Sequence, residues 1–253
     1  MRLLTCSLLF VMACGGGGDD GYPIKPGGGD GTGTDGSGDG VTDAGPDGPA
    51  TQMVTGSVCV LVDSTSFDGC RATGLAGIEV QIGGGTAITN DAGGFSIMKP
   101  SASATFWTLT TPTGGAGIKI VSSIVPYTAD LQLRTMELSR FDSIAAASMI
   151  TQSAGAATVF VQVVDGDANG VAGALLAAPA ASTIEPVRYG SADDTWSVTG
   201  PTLEAGTAWL TNVNPTTGKV DITATLGASE LQPQAVKVVA SYVTFALLPT
   251  ASQ

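Results

Sequence analysis

Gly74-Leu75-Ala76-Gly77-Ile78-Glu79-Val80-Gln81-Ile82 carries both signals that decide the fold. Two glycines frame a tight turn, and behind it Ile78, Val80 and Ile82 alternate with Glu79 and Gln81, the period-two pattern of a strand with one buried and one wet face. Gly170-Val171-Ala172-Gly173 restates the turn at an offset of 96 residues (170 minus 74). Each copy follows a valine-rich strand and a loop. Val54, Val58, Val60 and Val62 share one parity before the first, and Thr158-Val159-Phe160-Val161-Gln162-Val163-Val164-Asp165 precedes the second. This is the mark of an internal repeat of one domain type.

Outward from the first copy, Thr89-Asn90-Asp91-Ala92-Gly93-Gly94-Phe95-Ser96-Ile97 reads as an Asn/Asp/Gly turn feeding a strand with Phe95 and Ile97 on one face. Residues 105–111, 118–124 and 129–138 read as further strands. Six or seven strands in so short a span predict a β-sandwich. A helix start follows at Ser139-Arg140-Phe141-Asp142, with Ser139 as cap and Asp142 favoured by the positive helix end. Phe141, Ile144, Ala145, Ser148 and Met149 share a helical face, which predicts a short connector between the two halves.

The chain has 253 residues and a formal charge of −12, enough length for one or two domains. The acidic balance, without any run of Lys or Arg, disfavours nucleic acid as a partner. There is no histidine, which removes the commonest general base and the usual zinc and iron ligands. Glycine is in excess, with 36 residues, and much of the excess lies in residues 15–50 beside Asp, Thr, Pro and Ser. That segment cannot bury enough apolar surface to offset chain entropy, so disorder is expected there. A flexible tether of about 35 residues spans roughly 33 Å.

At the N-terminus Arg2 precedes an apolar run, Leu3 to Ala13, of signal-peptide length, too short for a spanning helix. Leu8-Leu9-Phe10-Val11-Met12-Ala13-Cys14, with four glycines behind it, resembles the lipobox of bacterial lipoproteins. The resemblance implies cleavage before Cys14, membrane lipid carried on that sulfur, and, with Gly15 next, an outer-membrane or cell-surface destination. An ordinary cleaved signal with a coincidental cysteine is the competing reading. Cys6 would be lost with the signal, leaving Cys59 and Cys70 as a pair in an exported protein: a disulfide, or alternatively two free or redox-active thiols.

The order of strand, turn, small-Ala-Gly, alternating strand and Thr-x-x-x-Gly-x-Phe resembles the carboxypeptidase regulatory-like family. The residues are Gly56, Leu75, Ala76, Gly77, Ile78, Val80, Thr89, Asp91, Gly93 and Phe95 in the first half. In the second they are Val163, Asp165, Gly170, Val171, Ala172, Gly173, Gly206, Ala208 and Trp209. The resemblance implies transthyretin-like β-sandwiches that act as structural or binding modules. The expected fold is therefore all-β, with two transthyretin-like or Ig-like β-sandwich domains in tandem. The divisions are a signal peptide at 1–13, lipidated Cys and disordered linker at 14–50, a first sandwich at 51–138, a helical connector at 139–153 and a second sandwich at 154–253. The second half departs from the pattern by an insertion-like stretch at 179–199.

Asp165-Gly166-Asp167-Ala168-Asn169-Gly170 opens like an EF-hand calcium loop, but the twelfth position is Leu176 and strands flank it, so a hairpin turn with positive φ at Asn169-Gly170 is the better reading. No metal site and no cofactor is expected. Trp107 and Trp209 sit where core aromatics belong, whereas Trp196, beside Asp193-Asp194, is the expected exposed tryptophan. Tyr189 and Trp196 are thus the candidate ligand-binding pair. Glu185, Asp193, Asp194 and Glu204 read as a solvated acidic rim. No catalytic set is evident. The expectation is a non-enzymatic, lipid-anchored envelope protein serving as spacer, scaffold or adhesion module toward an envelope protein or glycan. The alternative is a carbohydrate- or peptide-binding module using loops of the second half.

Overall fold

The structure, a computed structural model, describes residues 51–67, 69–71, 74–100, 105–110, 120–124, 131–178 and 185–250. The signal peptide, the lipid on Cys14 and the Gly- and Asp-rich linker lie outside the described residues, as does the 179–184 part of the insertion-like stretch. The first half holds β1 (Thr51–Val60), β2 (Glu79–Ile82), β3 (Gly85–Ile88), β4 (Gly94–Pro100), β5 (Thr105–Thr110), β6 (Ile120–Ile124) and β7 (Leu131–Thr135), followed by helix α1 (Leu138–Ala147). The second half holds β8 (Ala157–Val164), β9 (Ala174–Ala177), β10 (Arg188–Gly190), β11 (Trp196–Ser197), β12 (Thr207–Val213), β13 (Lys219–Leu226), β14 (Ser229–Glu230), β15 (Gln234–Lys237) and β16 (Val243–Pro249). The protein is all-β, built of packed sheets.

The internal repeat is visible strand by strand. β1 pairs antiparallel with β4 and parallel with β7; β8 pairs antiparallel with β12 and parallel with β16. In the facing sheets β5 lies between β2 and β6, as β13 lies between β9 and β15. Single bonds repeat too. The Thr89 hydroxyl donates to the Leu75 carbonyl at 2.6 Å and accepts the Ile78 amide at 2.9 Å. Thr202 does the same for Val171 at 2.8 Å and Ala174 at 2.9 Å. The amides of Gly77 and Gly173 close on the Thr89 and Thr202 carbonyls. Gly93 and Gly206, both left-handed, press against Gly74 and Gly170, where a Cβ would stand 2.7 Å and 3.0 Å from the opposing Cα. The quoted glycines are therefore places where backbone meets backbone.

Strand β8 explains how the halves join. Val159, Val161 and Val163 face the β9–β13–β15 sheet in one core. Phe160 points the other way, into a core shared with Val54, Val80, Trp107 and Leu133 of the first half. β8 and β12 are buried at every position, which matches the apolar run that a two-sided buried strand requires. One nine-stranded sheet runs β11, β10, β12, β8, β16, β6, β5, β2, β3 and passes from the second half to the first at the parallel pair Val243 and Ile120.

Three local expectations are corrected. The helix begins after Glu137, which makes no side-chain cap bond, and Ser139 lies inside it. Phe141, Ile144 and Ala145 are buried as expected, but Met149 is 91% exposed. It occupies the left-handed position past the helix end (φ 55°), and the Met149 and Ile150 amides return to the carbonyls of Ala146 and Ala145. This Schellman closure turns Ile150 inward and Met149 outward. Val62, expected on the buried parity, is 44% exposed. The Leu61 amide donates to the Thr135 carbonyl and a bridge pairs Leu61 with Cys70, so the chain turns there and Leu61 is the buried residue. Among the described residues no helix is long and apolar enough to cross a membrane.

Candidate functional site

Three segments far apart in sequence meet where the repeats join: the loop after β1, the start of α1 and the β10–β11 hairpin. Asp63 begins the loop, and one of its carboxylate oxygens accepts the Thr65 amide at 2.8 Å, the Thr65 hydroxyl at 2.6 Å and the Asp194 amide at 3.3 Å. Across the joint, Asp193 (φ 48°) and Asp194 (φ 58°) are both left-handed, and the Thr195 amide donates to the Ala192 carbonyl at 2.9 Å. This is a type I′ hairpin turn, here with two aspartates where Asn-Gly is the usual choice.

Asp194 fastens that turn. Its carboxylate accepts the Ser64 amide at 2.6 Å and pairs with the Arg140 guanidinium of α1. The Trp196 indole N–H donates to the Ser64 hydroxyl at 3.1 Å, and the Thr207 hydroxyl donates to the Thr65 carbonyl at 2.9 Å. Beneath them Phe160 stacks on Trp209 (centroids 5.1 Å apart) and on Phe245 (5.4 Å), while Phe67 meets Phe245 edge-on at 5.4 Å. An open cleft of about 630 Å³ lies outside this cluster, between α1 and the hairpin, with Ser139, Ser143, Asp193 and Thr195 among its lining.

Cys59 and Cys70 are bonded, with Cα atoms 5.3 Å apart. Trp196, expected exposed, is 7% exposed; the hairpin folds its ring inward between Phe160 and Trp209. Tyr189 is equally buried, its hydroxyl accepting the Leu176 amide at 3.0 Å. Burial raises the phenol's pKa against that hydrogen bond, so it stays protonated at neutral pH. The two rings belong to different cores and are not brought together as a ligand-facing pair. Trp107 and Trp209 are buried as expected. Asp193 and Glu204 are exposed, whereas Asp194 is part-buried and paired.

Positive φ in the Asp165 loop falls on Ala168 (64°) rather than on Asn169-Gly170. The reason is the Asp165 carboxylate, which gathers the amides of Asp167 and Asn169 and the Asn169 side-chain amide, wrapping the turn one residue earlier. The hydrogen bonds from Asn169, with a lesser one from Asp167, hold the carboxyl below its ordinary value against the opposing effect of burial. Among the described residues no three His, Cys, Asp or Glu side chains are grouped to hold a metal. Arg140, Ser64 and Phe67 were not singled out by sequence: each acts through partners more than fifty residues away, beyond any local pattern.

Burial pushes the Asp63 carboxyl up, but the Thr65 hydroxyl and the amides of Thr65 and Asp194 outweigh it and hold the pKa below the ordinary aspartate value. A depressed carboxylate stabilises the fold above its unfolded pKa, about 3.9, and that contribution is lost as pH falls through the folded value. Urea midpoints are therefore expected to decline below about pH 4, with a shallower acid limb in Asp63→Asn. An unchanged limb in that variant would remove Asp63 as a source.

The arrangement as a whole is that of an all-β protein of repeated sandwich modules fastened through a common joint. Among solved structures the chain is similar to the shaft pilin SpaA from Lactobacillus rhamnosus GG, at 12% identity over 81% of this chain and 99% of that one, with a TM-score of 0.25. It is also similar to the Bacillus anthracis TIE protein, at 11% identity over 78% of this chain and 34% of that one (TM-score 0.25). A Streptococcal ancillary pilin matches at 10% identity over 79% and 63% of the two chains (TM-score 0.21). Likeness at this level assigns neither a partner nor an activity. No protein-family model and no curated protein matches the chain.

Proposed function

We propose that this is a non-enzymatic cell-envelope protein, anchored by lipid on Cys14 at the outer membrane or cell surface, that displays its sandwiches as a spacer, scaffold or adhesion module. The joint carries this reading. Strands buried on both faces and the Asp63–Asp194–Arg140 network tie the repeats to each other, a construction suited to holding a fixed geometry. At the joint Asp194 pairs with Arg140, Trp196 donates to Ser64 and Thr65 donates to Asp63, while Arg140 Nε and Trp209 Nε1 are buried without partners among the described residues. The Gly- and Asp-rich segment after Cys14 would be the tether, and an envelope protein or glycan the partner. A carbohydrate-binding reading built on Tyr189 and Trp196 gains no support, because burial withholds both rings.

Metabolic labelling with a fatty-acid analogue tests the anchor. The full-length protein is expected to take up label and Cys14→Ser to lose it entirely; label retained in Cys14→Ser would end this assignment. Surface protease treatment of intact cells then reports the face on which the sandwiches are displayed.

A further inference from the structure

The loop after β1 is built as a latch. It leaves at Cys59 and returns at Cys70; Leu61 and the Phe67 carbonyl tie it to β7 through Thr135 and Arg134, and its other anchors reach into the second repeat. Phe67, 0% exposed, packs on Phe245; Ser64 binds Asp194 and Trp196; Thr65 takes the Thr207 hydroxyl. The neck is closed by the Val62 amide on the Gly69 carbonyl and the Arg71 amide on the Val60 carbonyl, both at 2.9 Å, and by the disulfide. Neither the Thr89 nor the Thr202 network, which lie at equivalent places in the two repeats, passes through this loop.

We propose that the Cys59–Cys70 disulfide is a redox lock on the latch: closed, it holds this loop against the second repeat, and its reduction frees the loop's contacts across the joint while the shared core and the continuous sheet stay in place. The reductant is a dithiol. One of its thiolates attacks the sulfur of Cys70, the partly exposed member of the pair, where Cys59 is 3% exposed. The S–S bond breaks, and Cys59 leaves as a thiolate and takes a proton. The second reductant thiol then attacks the mixed disulfide, frees Cys70 as a thiol and leaves as a cyclic disulfide. Two electrons and two protons pass to the protein.

Hydrogen exchange on the full chain tests this, comparing the oxidised protein with protein reduced by dithiothreitol, both treated with the same alkylating agent. The amides of Ser64 and Asp194, which bridge the joint, are expected to exchange about 100-fold faster after reduction, the scale set by losing the closure of so short a loop. The amides of Gly77 and Gly173, each inside one repeat, are expected to stay within roughly twofold. Equal protection in both forms, or loss of protection at all four amides together, would overturn the proposal. Cys59→Ala/Cys70→Ala, which carries no alkyl groups at these positions, is expected to match the reduced form; matching the oxidised form would overturn it as well. Oxidised Phe67→Ala is expected to release the same two amides with the bridge intact, and retained protection there would remove the latch as what holds these contacts closed.

Discussion

Phe160→Ala is expected to cost about 3–5 kcal/mol of folding stability, the range for removing a buried aromatic ring and leaving a cavity that the surroundings only partly fill. Phe160 is 0% exposed and touches Trp196, Trp209 and Phe245 with centroids 5.1–5.5 Å apart, so no single neighbour can collapse into its place. Against a typical margin of about 5–15 kcal/mol the loss is large, and the melting temperature should drop by on the order of 10 °C. Thermal unfolding followed by tryptophan fluorescence checks this, because Trp196 and Trp209 line the vacated space. A change below about 1 kcal/mol, the scale of an ordinary surface substitution, would show that the ring is not central to the joint.

Gly206→Ala should cost about 2–5 kcal/mol, from two sources acting together. The residue is left-handed (φ 70°), and an added Cβ would lie 2.3 Å from the Val163 carbonyl oxygen and 2.6 Å from the Val171 nitrogen. Both atoms are backbone of the second-repeat core, and the Val163 amide already donates to the Gly206 carbonyl, so neither can retreat. Gly218 supplies the control, since it has the same φ of 70° with open space around it. Gly218→Ala should lose only the left-handed cost, about 1–2 kcal/mol. Urea midpoints of the two variants measure the difference. Equal losses would mean that the close approach at Gly206 relaxes without penalty.

Much of the fold was legible because its signals are local. Alternation at Ile78, Val80 and Ile82 places the three side chains on the buried face of one strand whatever the strand pairs with, and all three are buried. The repeated small-Ala-Gly turn marked equivalent places in the two halves, and Thr89 was part of the pattern; its counterpart Thr202, 28 and 31 residues from the groups it bonds, was not. The joint was not legible. A tryptophan in a short hairpin beside two aspartates looks exposed by every local rule, and only partners on other elements, Phe160, Trp209 and Ser64, the last 132 residues away, hold it inside. Asp194 looked like rim for the same reason, with Arg140 and Ser64 supplied by other elements.

The sequence by itself determined that the chain is all-β, that one sandwich pattern occurs twice, that a helix stands between the copies and that Cys59 and Cys70 are candidates to pair. Those properties follow from side-chain periodicity and turn chemistry, which act over a few residues. Only the tertiary structure decided that β8 and β12 are covered on both faces, that Trp196 is interior and that the disulfide-closed loop reaches across to the second repeat. Burial of that kind depends on which surfaces meet after the strands have formed, and the contacts that set it join residues too far apart for any stretch of chain to display them.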